Sequence, residues 1–162
     1  YGRNKGDPSP SSILESSQNA LHALHEHLNS NSYHHLRRNY SKISYVAHSI
    51  GCSAVLQHAV SIIKKSENQI NRIVLVSPFT TMIDMAKIAL PMPIPGISYL
   101  LRHQWNNIKS LEDMGKYILL NRKGNDIQKL EVTIIHGNMD EIVPVEMGRT
   151  LREVAVSWMG CF

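Results

Sequence analysis

The sequence predicts an α/β fold in which short parallel strands alternate with helices, and three observations carry that expectation. Three short, β-branched apolar runs stand out: Ile43 to Ala47, Arg72 to Val76 and Leu130 to His136. Runs of this length and composition read as buried strands. The segment after the first run has helical spacing, with apolar positions at Ala54, Val55, Ala59 and Val60, and leads through a polar connection at 64–71 into the second run. Strand, helix, strand at that distance is a βαβ unit, which makes the strands parallel and the crossover right-handed. The third run should be a further parallel neighbour, with the C-terminal ends of all three on one edge of the sheet.

Composition bounds the rest. With 162 residues, 43% apolar and 19% charged, the chain is long enough for one domain with a real core but not comfortably for two. Its formal charge of +4 is scattered, with the tightest cluster at Arg37, Arg38 and Lys42, and Lys64 and Lys65 further on. No basic arm or arginine–aromatic interleaving appears, which argues against a nucleic-acid partner. A weak peripheral contact with anionic lipid heads is compatible with the charge. The only cysteines, Cys52 and Cys161, have no metal-ligand spacing around them and fit a reducing, intracellular compartment or a protein without need of disulfides. No run of about twenty apolar residues is present, so no bilayer span is expected. The chain opens on Tyr1 without a signal-peptide pattern, as a fragment or a processed chain would.

The first apolar run passes without a loop into Ala47-His48-Ser49-Ile50-Gly51 and then into the helix. This is the nucleophile-elbow pattern G-x-S-x-G with Ala for the first Gly. A serine between a strand end and a helix start sits on a sharp, strained turn that lifts its hydroxyl above the sheet. Small residues at Ala47 and Gly51 should let helix and strand pass closely. The backbone N–H of Ile50, at the helix N-terminus, would then point at a substrate carbonyl oxygen. The plainer alternative is a serine that caps an ordinary helix.

Before the elbow, Tyr1 to Ser12 reads as loop, and Ser11 or Ser12 should cap a helix with an apolar stripe of Ile13, Leu14, Ala20, Leu21, Leu24 and Leu28. His22 and His25 on that helix have i, i+3 spacing, but a solvated face is the stronger reading and no metal is expected. His48 and His58 are given no catalytic role. After the second strand, Ser77 to Thr81 should border the site, because ligands bind beyond the C-terminal strand ends of such sheets. His48 and Phe79 are candidate substrate contacts there. From Met82 to Trp105 the chain is apolar yet broken by Pro91, Pro93, Pro95 and Gly96, which excludes a continuous helix. It is read either as core packing or as a cap in which Met92, Ile94, Ile97 and Tyr99 wall an acyl pocket beside Ser49. A helix with loop follows at 106–125. Asp140 lies just past the third strand, where a carboxylate can hold a histidine in the tautomer that accepts a serine proton. A helix should run from Pro144 to Val156, and 157–162 carry no usable pattern.

The order of Ser49 and then Asp140, one strand apart, resembles the α/β-hydrolase superfamily. Further strings are similar to its serine-hydrolase branch of lysophospholipases, monoacylglycerol lipases and protein depalmitoylases. These are Tyr1-Gly2, Lys5-Gly6 and Pro8-Ser9; the elbow; Val76-Ser77-Pro78-Phe79-Thr80; and Ile135-His136-Gly137 with Asp140 and Val143-Pro144, followed by Gly148-Arg149 and Leu151. The resemblance spans nearly the whole chain. It implies an α/β-hydrolase fold lacking its early strands and last strand, a single partial domain over 1–162 with a cap-like excursion at about 82–105. It implies Ser49 as nucleophile and Asp140 as acid, acting without a cofactor on ester or thioester bonds of lipid-like acyl substrates.

One role is unfilled. The family's histidine follows the acid, and residues 141–162 contain none; all nine histidines precede Asp140. The chain as given is therefore expected to be inactive and, with an open sheet edge, not to be a well-folded monomer on its own. A hydrolase-like protein that binds without catalysis is the competing reading. A dinucleotide-binding domain is set low, because no G-x-G-x-x-G follows any strand.

Overall fold

Three strands frame the molecule: Ile43–His48 (β1), Ile70–Val76 (β2) and Glu131–Ile135 (β3), in the order β1-β2-β3. The computed structural model describes residues 7–29, 42–65, 70–90, 95–120 and 130–159. Both pairings are parallel, with Val46 opposite Val74 and Val74 opposite Thr133. The expected sheet of parallel neighbours is therefore present, and all three strands end on the same edge.

The helices are Pro10–Asn29 (α1), Ile50–Lys64 (α2), Met82–Ala89 (α3), Ile97–Leu100 (α4), Asn107–Leu120 (α5) and Val145–Met159 (α6). Ala47, Ile73 and Leu75 of the sheet are buried in one cluster with Cys52, Leu56 and Ile63 of α2, Leu111 and Met114 of α5, and Leu151 and Trp158 of α6. Leu56, Ile73 and Leu75 have no exposed surface, and each such aliphatic side chain stabilises the fold by about 1.5–3 kcal/mol.

Only this face of the sheet is covered among the described residues. The alternate positions Ser44, Val46 and His48 of β1 are exposed, Val46 by 75%. The runs read as buried strands are buried on one face only, because α2, α5 and α6 all pack against the same cluster. At the N-terminal end of the open face the exposed Arg72 and Glu131 join across β2 and β3 at 2.8 Å.

Three local readings need correcting. The first helix starts at Pro10, earlier than expected, with Pro at its first position as the fixed φ favours. Ser9 rather than Ser11 or Ser12 caps it: its Oγ accepts from the Ser12 N–H at 3.1 Å, and Ser12 Oγ accepts from the Ser9 N–H at 3.0 Å. Met82 to Ala89, merged from sequence into an irregular excursion, is a helix, because Thr81 caps it by accepting the Asp84 N–H at 3.0 Å. The last helix runs past Val156 to Met159 and buries Trp158 against α5, where a Cβ on Gly115 would lie 2.4 Å from Trp158 Cγ. No helix among the described residues is long and apolar enough to cross a membrane.

Candidate active site

Ser49 sits between β1 and α2 at φ 51°, ψ −123°, with no side-chain capping bond of its own. A plain helix-capping serine has extended backbone, so this geometry is not that of an ordinary cap. Its N–H donates to Val76 O at 2.9 Å, which carries the parallel ladder one residue past the strand. The next N–H, on Ile50, opens α2 and has no acceptor within the helix. Such a backbone costs about 1–3 kcal/mol and persists where surrounding structure enforces it. Gly51 does not serve the close approach expected of it: among the described residues a Cβ there would meet nothing within 4 Å, because α2 enters beside the edge strand. Cys52 lies one turn on but is no rival nucleophile, since burial pushes its thiol up to about 11.

The register puts the neighbouring turns in line. His48, Val76 and Ile135 are paired across the sheet, so Ser49, Ser77 and His136 form the row just beyond its end. Ser77 also has positive φ, 45°, and its N–H donates to Ile135 O at 2.8 Å. Sequence reasoning placed it only in a turn bordering the site, although its place after β2 repeats that of Ser49 after β1.

Asp140 is built into a tight loop. Its Oδ1 accepts from the Val143 N–H at 2.9 Å and the Ile142 N–H at 3.0 Å. The Val143 N–H first, then the Ser77 hydroxyl and the Ile142 N–H, hold the carboxyl below the usual carboxylate range. His136 Nε2 lies 3.7 Å from Asp140 Oδ2, but it bonds Val143 O at 2.8 Å. A carbonyl only accepts, so Nε2 carries the proton and donates it there. Nδ1 is buried without a hydrogen-bond partner among the described residues, and a Cβ on Gly148 would lie 2.5 Å from it. His136 thus braces the acid turn under α6. It is not presented to Ser49 as a base. The Gly148→Ala substitution is expected to push the ring off Val143 and to destabilise by about 1–3 kcal/mol, the usual range for overpacking; a denaturant midpoint and the His136 ring nitrogen shifts measure the two effects.

The remaining sequence candidates divide. His48 is exposed at the end of β1. Phe79 is packed away with Trp105, Val143 and Met147, so it holds the turn after β2 and offers little free surface. Asn107 ties that turn, its side-chain N–H donating to Phe79 O at 2.7 Å and its backbone N–H to Thr80 O at 2.9 Å. Thr81 and Asn106 form a bridge beside it, so the excursion leaves and returns at one tied neck. Within the excursion Ile97 is half-buried and Tyr99 is 93% exposed. Met92 and Ile94 lie outside the described residues. On α1, the exposed His22 faces Glu26 at 3.7 Å, and no group of three or more His, Cys, Asp or Glu among the described residues is placed to hold a metal.

A parallel sheet feeding a serine at positive φ into a helix, with a carboxylate loop two strands away, defines an incomplete α/β-hydrolase fold. A family model described as serine hydrolase matches residues 16–105, over half of the chain, and the chain belongs to that family. It is similar to the protein bem46 of Schizosaccharomyces pombe, 28% identical over 144 residues, covering 89% of this chain and 40% of that protein. The chain thus spans less than half the length of this relative. No solved structure matches it.

Proposed function

We propose that Ser49 is the nucleophile of a hydrolase for ester or thioester bonds in lipid-like acyl substrates, of the lysophospholipase, acylglycerol lipase or depalmitoylase kind. Asp140 is the acid and the Ile50 N–H an oxyanion donor. The observation that carries this reading is the left-handed φ of 51° at Ser49, which nothing in helix capping requires. An apolar acyl group is supported by exposed apolar side chains around the same sheet edge: Ile50 next to the serine, and Met139 and Ile142 flanking the acid. In this reading the tied excursion after Thr81 is a cap within a single domain, with Ile97 and Tyr99 in it and His48 beside the serine as substrate contacts. The same apolar rim suits a peripheral contact with a lipid surface.

The test supplies the base from solution. With imidazole added, the 162-residue chain should hydrolyse a medium-chain p-nitrophenyl ester faster than its Ser49→Ala variant does in the same buffer. A rate equal to that of Ser49→Ala at every imidazole concentration overturns the nucleophile. The second reading, a hydrolase-like binder without catalysis, is favoured by the occupation of His136 Nε2 by Val143. It predicts saturable binding of the ester, seen by calorimetry, with no Ser49-dependent release.

A further inference from the structure

Helix α1 is held to α2 by the Gln18 side-chain N–H, which donates to Ser61 Oγ at 3.3 Å, and by Leu21, which packs on the core. On α5, Leu111 and Met114 are buried in the cluster that holds Leu56 and Ile63 of α2. Between the first turns of α1 and of α5 the surface of α2 stays open as a cleft of about 540 Å³. That lies within the range of small-molecule sites, roughly 300–1,000 Å³.

Pro10 and Leu14 of α1 and Val60 of α2 belong to a lining that is mainly apolar. Three charged side chains share it. Lys109 and Asp113, one turn apart on α5, neutralise each other at 3.1 Å. Lys64, in the last turn of α2, has no carboxylate partner among the described residues, and its Nζ lies 5.8 Å from the centre of the Tyr117 ring. The unbalanced charge of the cleft is therefore one ammonium beside apolar surface. A lysine lays its stem along such surface and keeps its head at the water. The pairing suits a ligand with an apolar tail and a single carboxylate. A phosphate dianion, which is held by several converging charged donors, is served less well.

The cleft is separate from the catalytic edge. Gln57, the lining residue of α2 nearest Ser49 in sequence, is eight residues further on, about 12 Å along the helix. The remaining wall is the neck of the excursion, where Gln104 and Asn106 line the cleft and Asn106 is bridged to Thr81. Just before the neck, Arg102 pairs with Asp7, so an ion pair joins the returning chain to the start of α1. We propose that this cleft binds a fatty-acid-like monocarboxylate, its chain on Leu14 and Val60 and its carboxylate at Lys64. Such an occupant touches α1, α2, α5 and the neck at once. The inference stands apart from the reading of Ser49 as nucleophile.

The probe is octanoate, titrated into the 15N-labelled 162-residue chain and followed by amide NMR, with octanol as the control for the tail and acetate for the head. Octanoate should shift the Leu14, Val60, Lys64 and Gln104 amides saturably, and both controls should bind more weakly. Lys64→Gln should weaken octanoate by about fivefold, the upper end for an exposed ion pair, and leave octanol unchanged. Lys64→Arg, which keeps the charge, should restore most of the affinity. Lys64 is exposed, so neither substitution disturbs the core. The proposal falls if octanoate gives no saturable shift, or binds Lys64→Gln as tightly as wild type. Shifts confined to the Ile50 and Asp140 amides also overturn it, because they put the carboxylate at the sheet edge instead. Failure of Ser49 in the imidazole test leaves the cleft shifts intact, so the two readings fail separately.

Discussion

Without added imidazole, the 162-residue chain is expected to release p-nitrophenol no faster than its Ser49→Ala variant. A serine hydroxyl is a weak nucleophile at neutral pH until an adjacent base takes its proton. Residues 141–162, where the family order would put that base, contain no histidine. His136 is the histidine nearest the acid by sequence, and its Nε2 proton is committed to Val143 O. The oxyanion donor in the proposal is the Ile50 N–H alone, and removal of one such donor typically lowers the rate by about a hundred- to a thousandfold. Loss of the base removes a few further orders of magnitude, roughly, although the two losses need not add. A continuous absorbance assay with Ser49→Ala as baseline reads this directly. Ser49-dependent turnover in plain buffer would make a histidine of this chain the base, with His48 beside the serine the first to substitute.

The second large effect is on stability. Gly115→Ala, in the middle of α5, is expected to destabilise the fold even though alanine is the better helix former by about 1 kcal/mol. The added Cβ would lie 2.4 Å from Trp158 Cγ, 2.6 Å from Cδ1 and 2.8 Å from Cβ. Two of these atoms belong to a rigid ring with little exposed surface, so neither helix can yield without parting α5 from α6. Overpacking of a filled core typically costs about 1–3 kcal/mol, and contacts this short belong at the upper end. Chemical denaturation of the two chains measures the difference. A Gly115→Ala chain as stable as wild type would mean that α6 shifts freely on α5.

The strands and the elbow were legible because their signals are local. Ile73 and Leu75 alternate onto the covered face of a β-branched run, and Ser49 follows its strand with no turn residue between. The end of α6 was illegible because Trp158 is helical through its packing on Gly115, a partner 43 residues away whose side-chain volume no periodicity reports. The face left open by the helices was foreseen only in general terms, since exposure of Val46 depends on which elements arrive. The site divided in the same way. Asp140 is fixed by its own loop and could be placed from spacing alone. His136 matters through its bond to Val143 in the acid loop, and a list of residue types does not show where a ring nitrogen is spent.

The row of Ser49, Ser77 and His136 has a dimensional consequence. Adjacent strands lie about 4.8 Å apart, so Ser49 at the end of β1 and the acid loop at the end of β3 are roughly 10 Å apart across the sheet. In the proposed reading the two therefore act through a third group that stands between them over the end of β2, takes the serine proton and is oriented by the carboxylate.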